Sequence, residues 1–183
     1  MTLSPLARPF PAIPALAGVT PRIARAHYKN WDRCDLTFIA FDEGTSVAGF
    51  LTQSQCPSSE VEWCREHLSQ GKARALVVSA GNANAFTGYR GREAVEAVTA
   101  KAAAHLGCPV EQVFVSSTGV IGVPLPIDKA EAGLAAAFTA NPCSWEDAAA
   151  TIMTTDTFTK GAVASAVIGD TTVQLCGVIK GSG

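Results

Sequence analysis

The sequence predicts an α/β fold on three observations. Two short apolar runs, "RALVVSA" and "QVFVSS", have the length of buried strands and are separated by an alanine-rich stretch of helical composition. Near the end of the chain, Val163 to Ile168 and Thr171 to Ile179 are β-rich and meet at Gly169-Asp170, the signature of a hairpin. With 48% hydrophobic and 16% charged residues among 183, the chain can bury a sizeable core in one domain or two small ones.

Residues 1–19 form an extended proline-rich segment, since Pro5, Pro9, Pro11 and Pro14 interrupt any helix there. The same prolines, with little positive charge before them, argue against a secretion signal despite Ala15-Leu16-Ala17. Leu36 to Phe41 and Ser46 to Thr52 flank "DEGT" and predict an antiparallel hairpin turning at Glu43-Gly44. Ser59 and Glu62 have capping-box spacing, which predicts a short helix through Val61 and Leu68 that stops near Gly71. The strand Arg74 to Ala80 leaves through the polar loop "GNANAFTG", Gly81 to Gly88. A helix follows from about Arg92 to Leu106, with Gly107 as its stop. The apolar character of "QVFVSS" predicts a strand covered on both faces. Ile127 to Thr139 is helical by alanine content, and Ser144 is the expected N-cap of a helix reaching about Met153. No repeat, linker or charge run marks a boundary, so 1–183 reads as a single domain.

Charge excludes some partners. Fourteen Lys and Arg stand against 16 Asp and Glu, a net charge of -2 with no basic run, which leaves no footprint for nucleic acid or an anionic membrane. No segment approaches the roughly 20 apolar residues of a membrane span. The six cysteines contain no C-x-x-C pair, and a chain of this size needs no disulfides, so most read as small core residues in a reducing cytoplasm.

Three loops place hydroxyls, amides or glycines beside apolar elements. In "SSTGVIG", a threonine-glycine step at the end of a strand either aims a hydroxyl and backbone N–H groups at one point, as an anion hole does, or ends the strand with unusual backbone angles. In "GNANAFTG", Asn82 and Asn84 either bond a ligand or complete their own turn. The loop fits neither the phosphate-loop nor the dinucleotide pattern. In "TIMTTDTFTK", Thr151 to Lys160, threonines around Asp156 either line a polar pocket or serve as caps. What is missing is a nucleophile. His27, His67 and His105 lie in unrelated settings, no Ser-His-Asp order or G-x-S-x-G elbow occurs, and Cys56 and Cys64 have no activating base nearby in sequence. The chain closes on "CGVIKGSG", a strand running into a lysine and a glycine-rich step, which reads as the approach to a processing junction.

Four motifs in order, "NANAFTG" at Asn82 to Gly88, "SSTGVIGVPLP" at Ser116 to Pro126, "IMTTDT" at Ile152 to Thr157 and "GVIKGSG" at Gly177 to Gly183, give the chain a specific likeness. From about residue 20 onward it resembles the ornithine acetyltransferase family, the glutamate N-acetyltransferases of arginine biosynthesis. The resemblance implies a layered α/β sandwich of the self-processing N-terminal-threonine acyltransferase (ornithine acetyltransferase, DmpA-like) type. It also implies a precursor cut at an Ala-Thr bond, with this sequence as the α chain, ending several residues before the cut, and a β chain whose new N-terminal threonine is the nucleophile. The fold would be completed by that β chain, in an α2β2 heterotetramer. Thr118 and Gly119 match the family's oxyanion-hole pair, and Thr157 and Lys180 match substrate-binding positions. Asn82 and Asn84 belong to a shared motif without an assigned role. The substrates implied are N2-acetylornithine and glutamate, with no metal or organic cofactor; whether acetyl-CoA also serves as a donor stays open. A related self-processing aminopeptidase or amidohydrolase, and a non-catalytic small-molecule-binding α/β domain, are the alternatives at this point.

Overall fold

The computed structural model describes residues 3–181. Ser182 and Gly183, the end of the last motif, lie outside the described residues. The elements in chain order are β1 (Val19–Ala24), β2 (Leu36–Phe41), α1 (Ser59–His67), β3 (Ala75–Asn82), α2 (Tyr89–Leu106), β4 (Val113–Val120), α3 (Ile127–Thr139), α4 (Trp145–Thr151), β5 (Lys160–Ile168) and β6 (Thr171–Ile179). The architecture is the expected mixture of strands and helices.

The first four strands form one sheet in the order β1-β2-β3-β4. The β1, β2 and β3 neighbours are antiparallel, and β3 and β4 are parallel, from Ala75 opposite Val113 to Asn82 opposite Val120. Parallel strands need a crossover, and α2 supplies it. Register assigns the faces. Leu36, Phe38, Val77 and Val115 share one side, where they pack with Val95 and Val98 of α2 and Leu134 and Ala137 of α3 in a single core. Gly133 lets α3 close on this sheet, since a Cβ there would lie 2.5 Å from Ala26 Cβ. His105 of α2 stacks on Phe138 of α3 at 3.8 Å, and the Phe38 ring meets Phe138 edge-on at 5.1 Å. Burying side chains of this size on one face contributes roughly 1.5–3 kcal/mol each. The opposite face, with Ile23, Ile39, Leu76 and Val78, is apolar yet only half-buried.

The early hairpin is corrected by the structure. β2 pairs with β1 on one side and β3 on the other, which uses both of its edges, so Ser46 to Thr52 has no strand to join and keeps only a bridge from Ser46 to Lys72. In β1, "VTPRIA" hides a strand behind Pro21, a residue that edge strands tolerate. The N-cap of α1 is Ser58 rather than Ser59, and it makes no side-chain capping bond. Helix α1 then tightens into the turn Leu68–Gln70 and stops at the left-handed Gly71, as expected. Gly107 ends α2 with φ 61°, and Ser144 caps α4 by accepting from the Asp147 N–H.

Strand β4 departs from the expectation in two ways. Only Val113, Phe114 and Val115 are buried, because β4 is an edge strand whose lower half alone is covered. Helix α1 provides that cover: Trp63 Nε1–H donates to the Val113 carbonyl at 2.9 Å and the Cys64 thiol to the Val115 carbonyl at 3.3 Å. These side chains occupy groups that an open edge would offer to another chain. The second departure is that Thr118 and Gly119 belong to the strand itself, and the turn begins only at Ile121.

The hairpin β5–β6 forms a separate two-stranded sheet in register from Lys160 opposite Ile179 to Ile168 opposite Thr171. It is exposed along most of its length, with Val167, Leu175 and Ile168 bare to about 70%. The proline-rich segment runs past its base, where Phe10 packs so closely on Gly161 that a Cβ there would lie 2.7 Å from the ring. Among the described residues, no helix is long and apolar enough to cross a membrane.

Candidate active site

The parallel pair β3–β4 ends in two facing glycines. Gly119 lies opposite Gly81, and a Cβ on Gly119 would sit 2.4 Å from the carbonyl carbon and oxygen of Gly81, an approach only glycine permits. Both have positive φ, 140° at Gly81 and 128° at Gly119, a region that L side chains avoid. Gly119→Ala is expected to lower stability by roughly 2 kcal/mol through overpacking and backbone strain. Denaturant unfolding checks this, with Gly122→Ala as the positive-φ control that has open space around it.

Alternation along β4 aims the neighbouring groups. The Ser117 hydroxyl donates to Glu60 Oε1 at 2.6 Å, so Ser117 faces α1 and the helical layer. Thr118 then points to the other, half-covered face. Gly119 shares the outward parity of Val113 and Val115, whose carbonyls face the edge beside α1, and Gly119 lies past the end of that cover. Thr118 is half-buried and Gly119 exposed.

Asn82 and Asn84 hold the surrounding loops. Asn82 is 1% exposed, and its Nδ2 donates to the carbonyls of Val123 at 3.2 Å and Pro124 at 3.1 Å, which folds the chain after β4 back on β3. Asn84, fully buried with φ 52°, donates to Glu60 Oε1 and to the Gly91 carbonyl, both at 3.0 Å. Its Oδ1 accepts from the Thr87 hydroxyl at 3.0 Å and the Leu125 N–H at 3.4 Å. Both asparagines therefore complete loop structure. Glu60 went unremarked in the sequence because a glutamate in the first turn of a helix is what the dipole favours anyway; only the packing shows it buried.

Thr157 and Lys180 fall elsewhere, at the base of the β5–β6 hairpin. Their organising group is Asp156, whose carboxylate is fully buried. It accepts from Lys160 Nζ at 3.0 Å and from the Gly181 N–H at 2.8 Å, and pairs with Lys180 Nζ at 3.2 Å. Burial alone would raise its pKa, but these partners outweigh it and hold the carboxyl well below the usual aspartate range. Two ammonium groups against one carboxylate leave this cluster positive. Thr157 Oγ1 accepts from the Ser4 N–H at 3.3 Å and lines a cavity of about 410 Å³ with Lys160, Phe158 and Gly181. The structure thus gathers the four expected residues in two places, Thr118 with Gly119 on the edge of one sheet and Thr157 with Lys180 at the foot of the other. A cavity of about 560 Å³ beside Asn84, Phe86 and Arg92 includes none of the four.

A chain with this geometry has close relatives. It is 57% identical over 182 residues to the arginine biosynthesis bifunctional protein ArgJ of Zymomonas mobilis and 47% identical to that of Mesorhizobium japonicum, covering 99% and 100% of this chain. It spans 44% and 45% of the length of those two proteins. Among solved structures it is similar to ArgJ of Bacillus halodurans, at 30% identity and a TM-score of 0.83 over 91% of this chain and 88% of that one. It is also similar to the ornithine acetyltransferase of Mycobacterium tuberculosis complexed with ornithine, at 31% identity and a TM-score of 0.81, over 91% of this chain and 90% of that one. The ArgJ family pattern matches residues 21–183, and the chain belongs to the ArgJ family.

Proposed function

We propose that this chain is the α chain of a glutamate N-acetyltransferase, which moves the acetyl group of N2-acetylornithine to glutamate through an acetyl-enzyme intermediate. The observation that carries the reading is the facing pair Gly81 and Gly119, which brings Thr118 and the Gly119 amide to the uncovered end of an edge strand. The M. tuberculosis relative was solved with ornithine, which supports an ornithine-type substrate. Arginine biosynthesis, in the names of the curated relatives, supports the direction of transfer.

The nucleophile is a threonine at the new N-terminus of a β chain. Solved relatives are matched over 88–90% of their length and the curated relatives over 44–45%, in keeping with a precursor divided into two chains. The half-covered face of the sheet and the bare hairpin are the surfaces that such a partner would bury. Assembly as an α2β2 heterotetramer belongs to the same reading, as does the assignment of 1–183 to one α-chain domain. So does a cytoplasmic setting, which the free thiols of all six cysteines support.

In the mechanism, the threonine hydroxyl attacks the acetyl carbonyl and gives its proton to the threonine's own α-amino group, an amine that titrates near neutrality. The carbonyl oxygen becomes negative, and the Thr118 hydroxyl and Gly119 N–H donate to it. Collapse of the tetrahedral intermediate expels ornithine, which takes the proton. The glutamate amine then attacks the acetyl ester and gives a proton to the threonine's α-amino group; the same two donors hold the second oxyanion, and its collapse breaks the ester bond and expels the threonine oxygen, which takes that proton back. The positive cluster around Asp156 suits a substrate carboxylate: Lys180 supplies charge and Thr157 a directional hydrogen bond. The test is product analysis of the processed two-chain protein with N2-acetylornithine. N-acetylglutamate should form in step with ornithine when glutamate is present; release of acetate at the same rate whether or not glutamate is added would instead identify a hydrolase.

A further inference from the structure

Glu60 is a buried acid that the mechanism above does not use. It sits in the first turn of α1, 3% exposed, directly beneath the strand that carries Thr118 and Gly119. Two donors from two different elements converge on its Oε1: the Ser117 hydroxyl of β4 at 2.6 Å, from the residue preceding Thr118, and Asn84 Nδ2 of the loop after β3 at 3.0 Å. Asn84 in turn binds Leu125 beyond the β4 turn and Gly91 in α2. One carboxyl group therefore joins the exits of β3 and β4 to the start of α1.

We propose that Glu60 is a positioning residue that fixes the Thr118–Gly119 donor pair from below β4, acting through Ser117 and Asn84. An oxyanion hole works only if its donors are held before charge develops, and a displacement of tenths of an ångström weakens them. Ser117 and Thr118 alternate across the strand, so a bond that fixes Ser117 from the helical side sets the direction of Thr118 on the other side. This rests on the acyl-transfer reading of that pair.

The surroundings of Glu60 favour its neutral form. Among the described residues no lysine or arginine bonds to it, and Oε2 has no hydrogen-bond partner, surroundings that penalise a charge heavily. Facing it are Ser58 at the helix start, Ser117 from β4 and Asn84 from the loop. Ala94, Val95 and Val98 approach from α2, and Ser79 from β3, bonded to the Tyr28 hydroxyl. The titratable neighbour on its own helix is Cys64, whose thiol is pushed up chiefly by burial. Burial likewise raises the Glu60 carboxyl above its ordinary value, against the smaller opposing effect of its hydrogen bonds.

The experiment compares Glu60→Ala, Glu60→Gln, Ser117→Ala and Thr118→Ala in the processed two-chain protein by steady-state kinetics and thermal unfolding. Glu60→Ala is expected to lower kcat roughly 10- to 100-fold with KM within about threefold, since geometry at the oxyanion matters only in the transition state. Glu60→Gln keeps a neutral acceptor for both bonds and should restore kcat to within about threefold of wild type, while Ser117→Ala loses about tenfold. If Glu60→Ala fails to mature, Ser117→Ala and Glu60→Gln decide alone. A folded acid with a raised pKa keeps a proton that the unfolded chain releases, so wild-type stability falls as pH rises above the ordinary carboxyl value and that of Glu60→Gln does not. The Tm gap between them should therefore shift in favour of glutamine with rising pH. Wild-type kcat in Ser117→Ala, a Glu60→Gln variant as impaired as Glu60→Ala, or a Tm gap that ignores pH would overturn the proposal. Undiminished turnover in Thr118→Ala would remove the acyl-transfer reading itself, whereas loss there with full activity in Glu60→Ala removes only the role of Glu60.

Discussion

Replacing Thr118 by alanine in the processed two-chain protein should cost roughly 10²–10³ in kcat, about 3–4 kcal/mol of barrier, with KM changed by less than about threefold. The size follows from where the hydroxyl sits. Ser117 is bonded to Glu60 on the helical side, so Thr118 projects from the opposite face beside the Gly119 amide. A donor placed there meets the substrate oxygen most strongly when that oxygen is negative, which lowers the barrier without tightening ground-state binding. Thr118→Ser retains the hydroxyl and should recover most of the loss, because the methyl group makes no bond to the oxyanion. Stopped assays across substrate concentration separate kcat from KM. A rise in KM alone would mean that Thr118 binds the ground state, and the two-donor hole would have to be abandoned.

The second large effect concerns stability. Asp156→Ala should destabilise the protein by about 3 kcal/mol, the lower end of the range for breaking a buried ion pair, because Lys160 and Lys180 stay about a quarter exposed and can turn to water. The loss has three parts: two ion pairs, the bond to the Gly181 N–H, and the cost of leaving two ammonium groups together without their counter-charge. The pH dependence has a definite sign. The folded pKa of Asp156 lies below the ordinary value of 3.8, so its contribution is fully present above that value and disappears as pH falls through the folded one. Differential unfolding curves should show a gap between wild type and Asp156→Ala that is constant from neutrality down to about pH 5 and narrows in more acidic solution. An unchanging gap down to the most acidic conditions would mean that packing, not charge, makes the contribution.

Much of the scaffold could be read from the chain because each element carried its own local signal. The apolar runs of β3 and β4, the alanine content of α2 and α3, the glycine stops at Gly71 and Gly107 and the turn at Gly169-Asp170 all agree with the fold. The failures have a common cause, which is that strand pairing is decided by competition between segments distant in sequence. Ser46 to Thr52 has a strand-like composition, but β1 takes the edge of β2 that it would need. β1 was concealed by Pro21 and Arg22, a proline at an edge and a charged residue whose Nε reaches the Ala140 carbonyl. Strand β4 looked apolar enough to be covered on both sides, yet apolar content does not say whether a helix, another strand or nothing lies beside it.

The candidate site was legible in its parts and not in its arrangement. Hydroxyls and glycines beside strand ends marked Thr118, Gly119 and the threonine cluster, since a glycine weakens a strand and a hydroxyl next to it can serve as a donor. Nothing local revealed that Gly119 must be glycine because Gly81 lies against it, or that Lys180 is tied to a buried Asp156. Glu60 was equally hidden, and so was the contrast between its neutral surroundings and the doubly paired carboxylate of Asp156.

The most direct test of the central claim, that this chain holds the oxyanion while another chain carries the acetyl group, is intact-mass analysis of both chains after rapid quenching with N2-acetylornithine in the absence of glutamate. The expected result is one acetyl group on the N-terminal threonine of the β chain, an unmodified α chain, and loss of the label when glutamate is added. An acetyl group on any residue of this chain, or none on either while ornithine is still released, would contradict it.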